Sequence, residues 1–351
     1  MIEPKIFCQK LMKSPKLIAV AFLVTISIYA NAQPATPAPG NGGRKVEKPV
    51  VFIPAKAGPL MGDWQGAGGV VAQVCSTVDG KYAANILKSF DTENNLIVTL
   101  QGAASRDGVE FSGEGWKGAI KNSHFTGGKG DQKFDLQPVT RHSPTEGAKP
   151  PAGAVVLFDG SNLDAWAKKA GKDWLAEDGP AKWKLVAGGA VEVVSETDCL
   201  ITHKRFGDCH VHIEFRTLGK PSNSGVFLQD RYEVNINETY GRTDGTPNGG
   251  FDNCTDKVEP RIRPCFPPLA WQTFDIDFTA PKFDAQGKKT ASATATVVFN
   301  GVKIYDKQVL DLPHGAAARL GEAATGPLML QEHGMPLQFR NIWLVETGPK
   351  P

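Results

Sequence analysis

The segment Asn223-Ser-Gly-Val-Phe-Leu-Gln-Asp-Arg-Tyr-Glu-Val-Asn-Ile-Asn-Glu238 carries the residue types best suited to chemistry. Two short β patterns flank a tight polar turn, and the second sets Glu233 and Asn235 two residues apart. Period-2 geometry puts those side chains on one face of a strand. A carboxylate beside an amide on a rigid strand suits a surface that handles sugars, although the same spacing also describes an ordinary solvated sheet face. Glu238 joins them only if a β-bulge inserts an extra residue. Glu233 and Glu238 could then serve as the two carboxyls of a retaining glycosidase, which stand about 5 Å apart. His333, followed by Gly334, can present its imidazole to a cleft with a charge tunable near neutral pH, or can cap a turn through its ring nitrogens. His210, His212 and Glu214 share a strand face, which fits either a chelating set or a polar surface strand.

The elements that must hold these groups are all β. From about Gly58 to residue 142, short apolar-alternating runs are broken by glycine, with Asp79-Gly80 and Asp107-Gly108 as turn dipeptides. This reads as a small antiparallel β domain. Residues 143–153, rich in Pro and polar groups, read as a linker. From Ala154 to about residue 347 the alternation is cleaner: Cys209, Val211, Ile213 and Phe215 oppose His210, His212 and Glu214. Asn300-Gly301 between two β runs fits a type I′ hairpin turn. Many short strands with abundant Gly and Pro predict a β-sandwich, one sheet of which has an open polar face.

At 351 residues the chain has room for two domains. A formal charge of +2 with scattered Lys and Arg excludes the concentrated basic footprint that nucleic acid requires. Residues 1–32 read as a signal peptide: Lys13 and Lys16 precede an apolar run from Leu17 to Tyr29, and Ala30-Asn-Ala32 is a small-x-small cleavage site. The run is too short to span a bilayer. Export to a periplasmic or extracellular location is expected, with no stable membrane span after cleavage. Residues 33–57 read as a disordered leader. An oxidising compartment permits disulfides, and local spacing predicts Cys254–Cys265 and Cys199–Cys209, leaving Cys75 over.

Together these segments resemble the 3-keto-disaccharide hydrolase domain family. Val155-Val-Leu-Phe-Asp-Gly160 with Leu163-Asp-Ala-Trp166 is similar to its opening, and Phe206-Gly-Asp with Ile213-Glu-Phe-Arg216 to its next block. Asn223-Ser-Gly-Val-Phe-Leu-Gln, Arg231-Tyr-Glu-Val, Pro267-Pro-Leu-Ala-Trp-Gln-Thr-Phe-Asp-Ile276 and Phe299-Asn-Gly301 follow in order. Gly326-Pro-Leu-Met-Leu-Gln-Glu-His-Gly334 and Phe339-Arg-Asn-Ile342 complete the series. After Tyr-Glu-Val the chain departs from the family pattern, with Asn235, Ile236 and Asn237. The resemblance covers about residues 154–346 and implies an all-β fold, a concanavalin-like jelly-roll sandwich preceded here by the smaller antiparallel β domain. It also implies an enzyme that cleaves glycosides already oxidised at carbon 3, by proton abstraction at C2, elimination and hydration. Glu233 is then the expected base or a metal ligand, and His333 the acid or a ligand in the same centre. Gln229, Asn235, Trp271 and Arg340 are the expected sugar contacts, and a divalent metal ion is a candidate enolate stabiliser. A non-catalytic lectin-like module of the same fold, or a retaining glycosidase using Glu233 and Glu238, are the competing readings.

Overall fold

The computed structural model describes residues 52–55, 58, 60–77, 79–171, 175–242, 247–251, 258–311 and 321–348. The expected signal peptide, residues 1–32, and most of the expected leader, residues 33–57, lie outside the described residues. Among those described, no helix is long and apolar enough to cross a membrane.

Eight consecutive strands between Gly62 and Val139 form a closed antiparallel barrel, the first pairing with the last. Alternation builds it. In Leu96–Ser105, Val98 and Leu100 turn inward while Gln101 turns outward. The interior is filled by Trp64, Phe111, Phe125, Phe134 and aliphatic side chains, so it is a packed core and not a ligand cavity. Glycine makes room for the rings: a Cβ on Gly102 would stand 2.5 Å from the Phe111 ring.

The rest of the chain is a concanavalin-like jelly-roll sandwich of two antiparallel sheets. One, of eight strands, centres on Leu337–Glu346, Cys209–Thr217 and Gln272–Thr279. The other, of six, runs Glu177–Pro180, Trp166–Lys169, Leu200–Phe206, Gly326–Leu330, Asn223–Leu228 and Tyr232–Asn237. Val211, Ile213, Phe215, Phe274 and Ile276 of the first pack on Val226, Leu228, Val234, Ile236 and Leu330 of the second. Asn300 (φ +51°) and Gly301 (φ +81°) form the hairpin turn with both residues at the positive φ that type I′ demands.

Two expectations are corrected by this architecture. The polar face carrying His212 and Glu214 is not open. Residues 143–148 lie across it as a strap: Ser143 Oγ meets Thr273 Oγ1 at 2.6 Å, Thr145 Oγ1 donates to Asp275 Oδ2 at 2.6 Å, and Gly147 N–H donates to Glu214 Oε1 at 2.6 Å. The connector between barrel and sandwich is therefore pinned to the sheet. Cys199 and Cys209 are free thiols, not a disulfide. They stand at opposite ends of the Leu200–Phe206 strand, seven residues long. At about 3.3 Å per residue that strand separates them by roughly 23 Å, beyond the reach of a disulfide. Cys265 is likewise a free, buried thiol, and its expected partner Cys254 lies outside the described residues.

Candidate active site

The outer face of the six-stranded sheet is organised by the Asn223–Leu228 and Tyr232–Asn237 hairpin, whose register is continuous from Asn223↔Asn237 to Leu228↔Tyr232. Its turn places Gln229 and Asp230 at φ +55° each, the sign a type I′ turn requires. Even-numbered residues Val226, Val234 and Ile236 enter the core, so Glu233, Asn235 and Asn237 face outward with Asn223, Gly225 and Phe227. The neighbouring Gly326–Leu330 strand pairs Met329 with Phe227, and Gln331 N–H donates to Gly225 C=O at 3.0 Å. Three rows of side chains result: Met329, Phe227 and Glu233; Gln331, Gly225 and Asn235; His333, Asn223 and Asn237.

Gly225 opens the middle row. A Cβ there would lie 2.7 Å from Glu233 Oε1 and 2.9 Å from Glu233 Cγ, so the carboxylate leans into space that only glycine leaves. Asn237 Nδ2 donates to Asn235 Oδ1 at 2.6 Å. His333 Nδ1 meets Asn223 Nδ2 at 3.4 Å. Gln331 Oε1 is buried without a protein partner. The backbone of Asn235 is held on the other side by Gly249 and Gly250, its N–H donating to Gly250 C=O at 2.9 Å and its C=O accepting from Gly249 N–H at 2.8 Å. Glu233 is 6 % exposed whereas His333 is exposed. Two rows and two strands put their backbones roughly 16 Å apart, so the two side chains approach a bound ring from different sides and do not touch one another.

The other expected site residues lie elsewhere. Glu238 falls on the opposite face, because the hairpin has no bulge to return it. It is buried, accepts hydrogen bonds from Thr217 Oγ1 and from Tyr240 N–H, and burial raises its pKa despite those donors. Glu233 and Glu238 therefore cannot form the close carboxyl pair of a retaining glycosidase. Gln229 is buried in the hairpin turn, donating to Phe206 and Ala324 carbonyls. Trp271 and Arg340 sit on the outer face of the eight-stranded sheet, across the sandwich from Glu233. The Arg340 guanidinium stacks 4.0 Å from the Trp271 ring and bonds Glu214 Oε2 at 2.6 Å and Glu146 at 2.9 Å. Sequence reasoning missed Asn223, Gly225, Asn237 and Gln331. Extending the period-2 alternation from Glu233 and His333 identifies Asn237 and Gln331; Asn223 and Gly225 lie on the next strand and need the hairpin register as well.

His212, Glu214 and Asp275 form a closed network under the strap and not a chelating set. His212 Nδ1 bonds Asp275 Oδ1 at 2.6 Å, and the ring stacks on Trp343 with centroids 4.9 Å apart. Burial pulls the His212 pKa down, but its hydrogen bonds to the Asp275 and Glu214 carboxylates, with their charges, outweigh it and leave it raised. Burial acts upward on Glu214, yet hydrogen bonds donated by His212, Asn341, Arg340 and Gly147 bring it to about 2. A raised histidine contributes stability that is fully present below its unfolded pKa of about 6.5 and is lost as pH rises through the folded value. The strap should consequently loosen as pH rises through that raised value. Hydrogen exchange at the Gly147 amide, corrected for its intrinsic rate, should accelerate with pH in the wild type and lose that dependence in His212→Gln. A pH-independent protection factor in the wild type would contradict this.

Among the described residues no group of three or more His, Cys, Asp or Glu side chains is arranged to hold a metal. No step below runs through a metal ion.

A β-sandwich presenting a carboxylate, an imidazole and several amides on one sheet face has the make-up of a carbohydrate-acting domain. The family described as 3-keto-alpha-glucoside-1,2-lyase-like domain matches residues 153–345, and the chain belongs to that family. It is thus a glycoside hydrolase-like, carbohydrate-active enzyme. No curated protein matches the chain. Among solved structures, a Parabacteroides distasonis protein proposed to be a glycosyl hydrolase is similar at 29% identity, covering 56% of this chain and 84% of its own, with a TM-score of 0.49. A second Parabacteroides distasonis protein proposed to be a glycosyl hydrolase is 15% identical over 56% of this chain and 94% of its own, with a TM-score of 0.41.

Proposed function

We propose that the enzyme cleaves 3-keto-glycosides by elimination and hydration on the Glu233 face, after export from the cytoplasm. The observation that carries this reading is that Glu238 is turned away behind the sheet and that Asp230, at the hairpin turn, is tied up in an ion pair with Lys169, so that among the described residues neither forms a close carboxyl pair with Glu233. Two-carboxylate hydrolysis needs a close carboxyl pair, which Glu233 does not form with Glu238, whereas elimination next to a ketone needs a single base. A carbonyl at C3 acidifies the C2 proton and places the C1 glycosidic oxygen β to itself. Glu233 removes the C2 proton, and the electron pair passes into an enolate. The amides of Asn223, Asn235, Asn237 and Gln331 line this face, and their N–H groups would bind the developing oxyanion and the ring hydroxyls. As the enolate collapses, the C1–O bond breaks and His333 protonates the leaving oxygen. Water then adds at C1 of the enone, giving its proton to His333, while Glu233 returns its proton to C2. Both groups end in their starting states.

The test is to incubate the protein with a 3-keto glucoside and with the same glycoside unoxidised, and to follow release of the leaving group. Release from the keto form alone is expected. Sugar binding without conversion of either would establish a lectin-like module, and cleavage of the unoxidised glycoside would overturn the elimination chemistry. Export is tested separately by the mass of the mature chain, which should begin near Gln33.

A further inference from the structure

Among the described residues, the barrel touches the sandwich around Tyr240-Gly241 and along residues 261–266. Tyr240 is 2 % exposed and its phenol donates to Asp63 Oδ1 of the barrel at 2.7 Å. Asp63 is itself buried and also bound by Arg141 Nε at 2.6 Å. The next residue, Gly241, lies so close to barrel Cys75 that a Cβ would stand 2.8 Å from its sulfur. At the second stretch, barrel Gln73 Nε2 donates to the Cys265 carbonyl at 3.5 Å, and Phe90 stacks on Phe266 with centroids 5.8 Å apart.

Asn248 joins these stretches to the cleft. Its Nδ2 donates to Cys265 Sγ at 3.2 Å, and its Oδ1 accepts the Asn237 backbone N–H at 2.5 Å. Asn248 is 2 % exposed, and Gly249 and Gly250 beside it hold the backbone of Asn235. The outer edge of the Glu233 strand is therefore bonded to a segment that barrel residues clamp from behind. A strand edge held only by a surface loop would fray, and small displacements of positioned groups are costly to catalysis.

We propose that Asp63 and Gln73 are positioning residues for the sugar site, acting through Tyr240, Cys265 and Asn248 on Asn235 and Asn237, so that the barrel is a fixed wall of the cleft. The catalytic arm of this inference rests on the function proposed above; the structural arm does not. Full-length Tyr240→Phe and Gln73→Met remove the two barrel hydrogen bonds separately while keeping side-chain size. Hydrogen exchange at the Asn237 and Gly249 amides should speed up in both variants. Their kcat/KM on a 3-keto glycoside should fall about tenfold, chiefly through KM, with an unchanged pH profile because Glu233 and His333 are untouched. A general loss of stability would not produce that split. Unchanged exchange at both amides in both variants overturns the proposal, as does faster exchange with unchanged KM in an active enzyme. If the wild type converts no 3-keto glycoside, the functional reading fails and the exchange result still decides this one.

Discussion

Glu233→Gln is expected to lower turnover of a 3-keto glycoside by about 10² to 10⁴-fold, the usual contribution of a positioned general base. The amide matches the carboxylate in size, so it fits the space above Gly225 that the side chain occupies. It has no lone pair basic enough to take the C2 proton. Sugar binding and the melting temperature should stay near wild type, which separates a chemical loss from a folding one. His333→Ala should lower turnover in the same range, and its loss should be smallest on substrates whose leaving group needs no protonation, such as a nitrophenolate. Wild-type activity in both variants would refute the assignment. Rescue of the His333→Ala rate by a good leaving group, without rescue of Glu233→Gln, would fix which group is the acid.

Lys169→Met should be strongly destabilising. Lys169 Nζ bonds Asp230 Oδ1 at 2.9 Å, and their side chains are 7% and 0% exposed. Removing one partner of a buried pair strands the other charge, at a cost of about 3–5 kcal/mol. For a sandwich of this size that is a fall in Tm of roughly 10 °C. The penalty should depend on pH with a definite sign. Burial raises the Asp230 pKa, an effect that Lys169 partly offsets in the wild type. Without Lys169 the carboxyl sits higher still, so the cost applies above its folded pKa and fades as pH falls through it and the group takes up a proton. Thermal melts from neutral to mildly acidic pH should show the variant converging on the wild type. Adding Asp230→Asn to the variant should recover much of the loss at neutral pH. A gap that widens on acidification would show that the stranded charge is not the cause.

The alternation of apolar and polar residues determined much of this protein on its own. It marked the strands, assigned Val211, Ile213 and Phe215 to the core against His212 and Glu214, and placed Glu233 and Asn235 on one face, because side-chain direction in a strand depends only on parity. The Asn300-Gly301 turn was legible for the same local reason, its two residues being those that tolerate positive φ. Parity does not say which face of which sheet a strand contributes to, or what lies over it. Only the packing of the two sheets put Trp271 and Arg340 on one side of the sandwich and Glu233 on the other. Only the strap turned His212 from a surface residue into a buried one. Cys199 and Cys209, ten positions apart in the chain, are separated by a whole strand because that strand is extended. Barrel closure, and the contacts of Asp63 and Gln73 near the cleft, join residues far apart in sequence, and no local pattern records contacts of that kind.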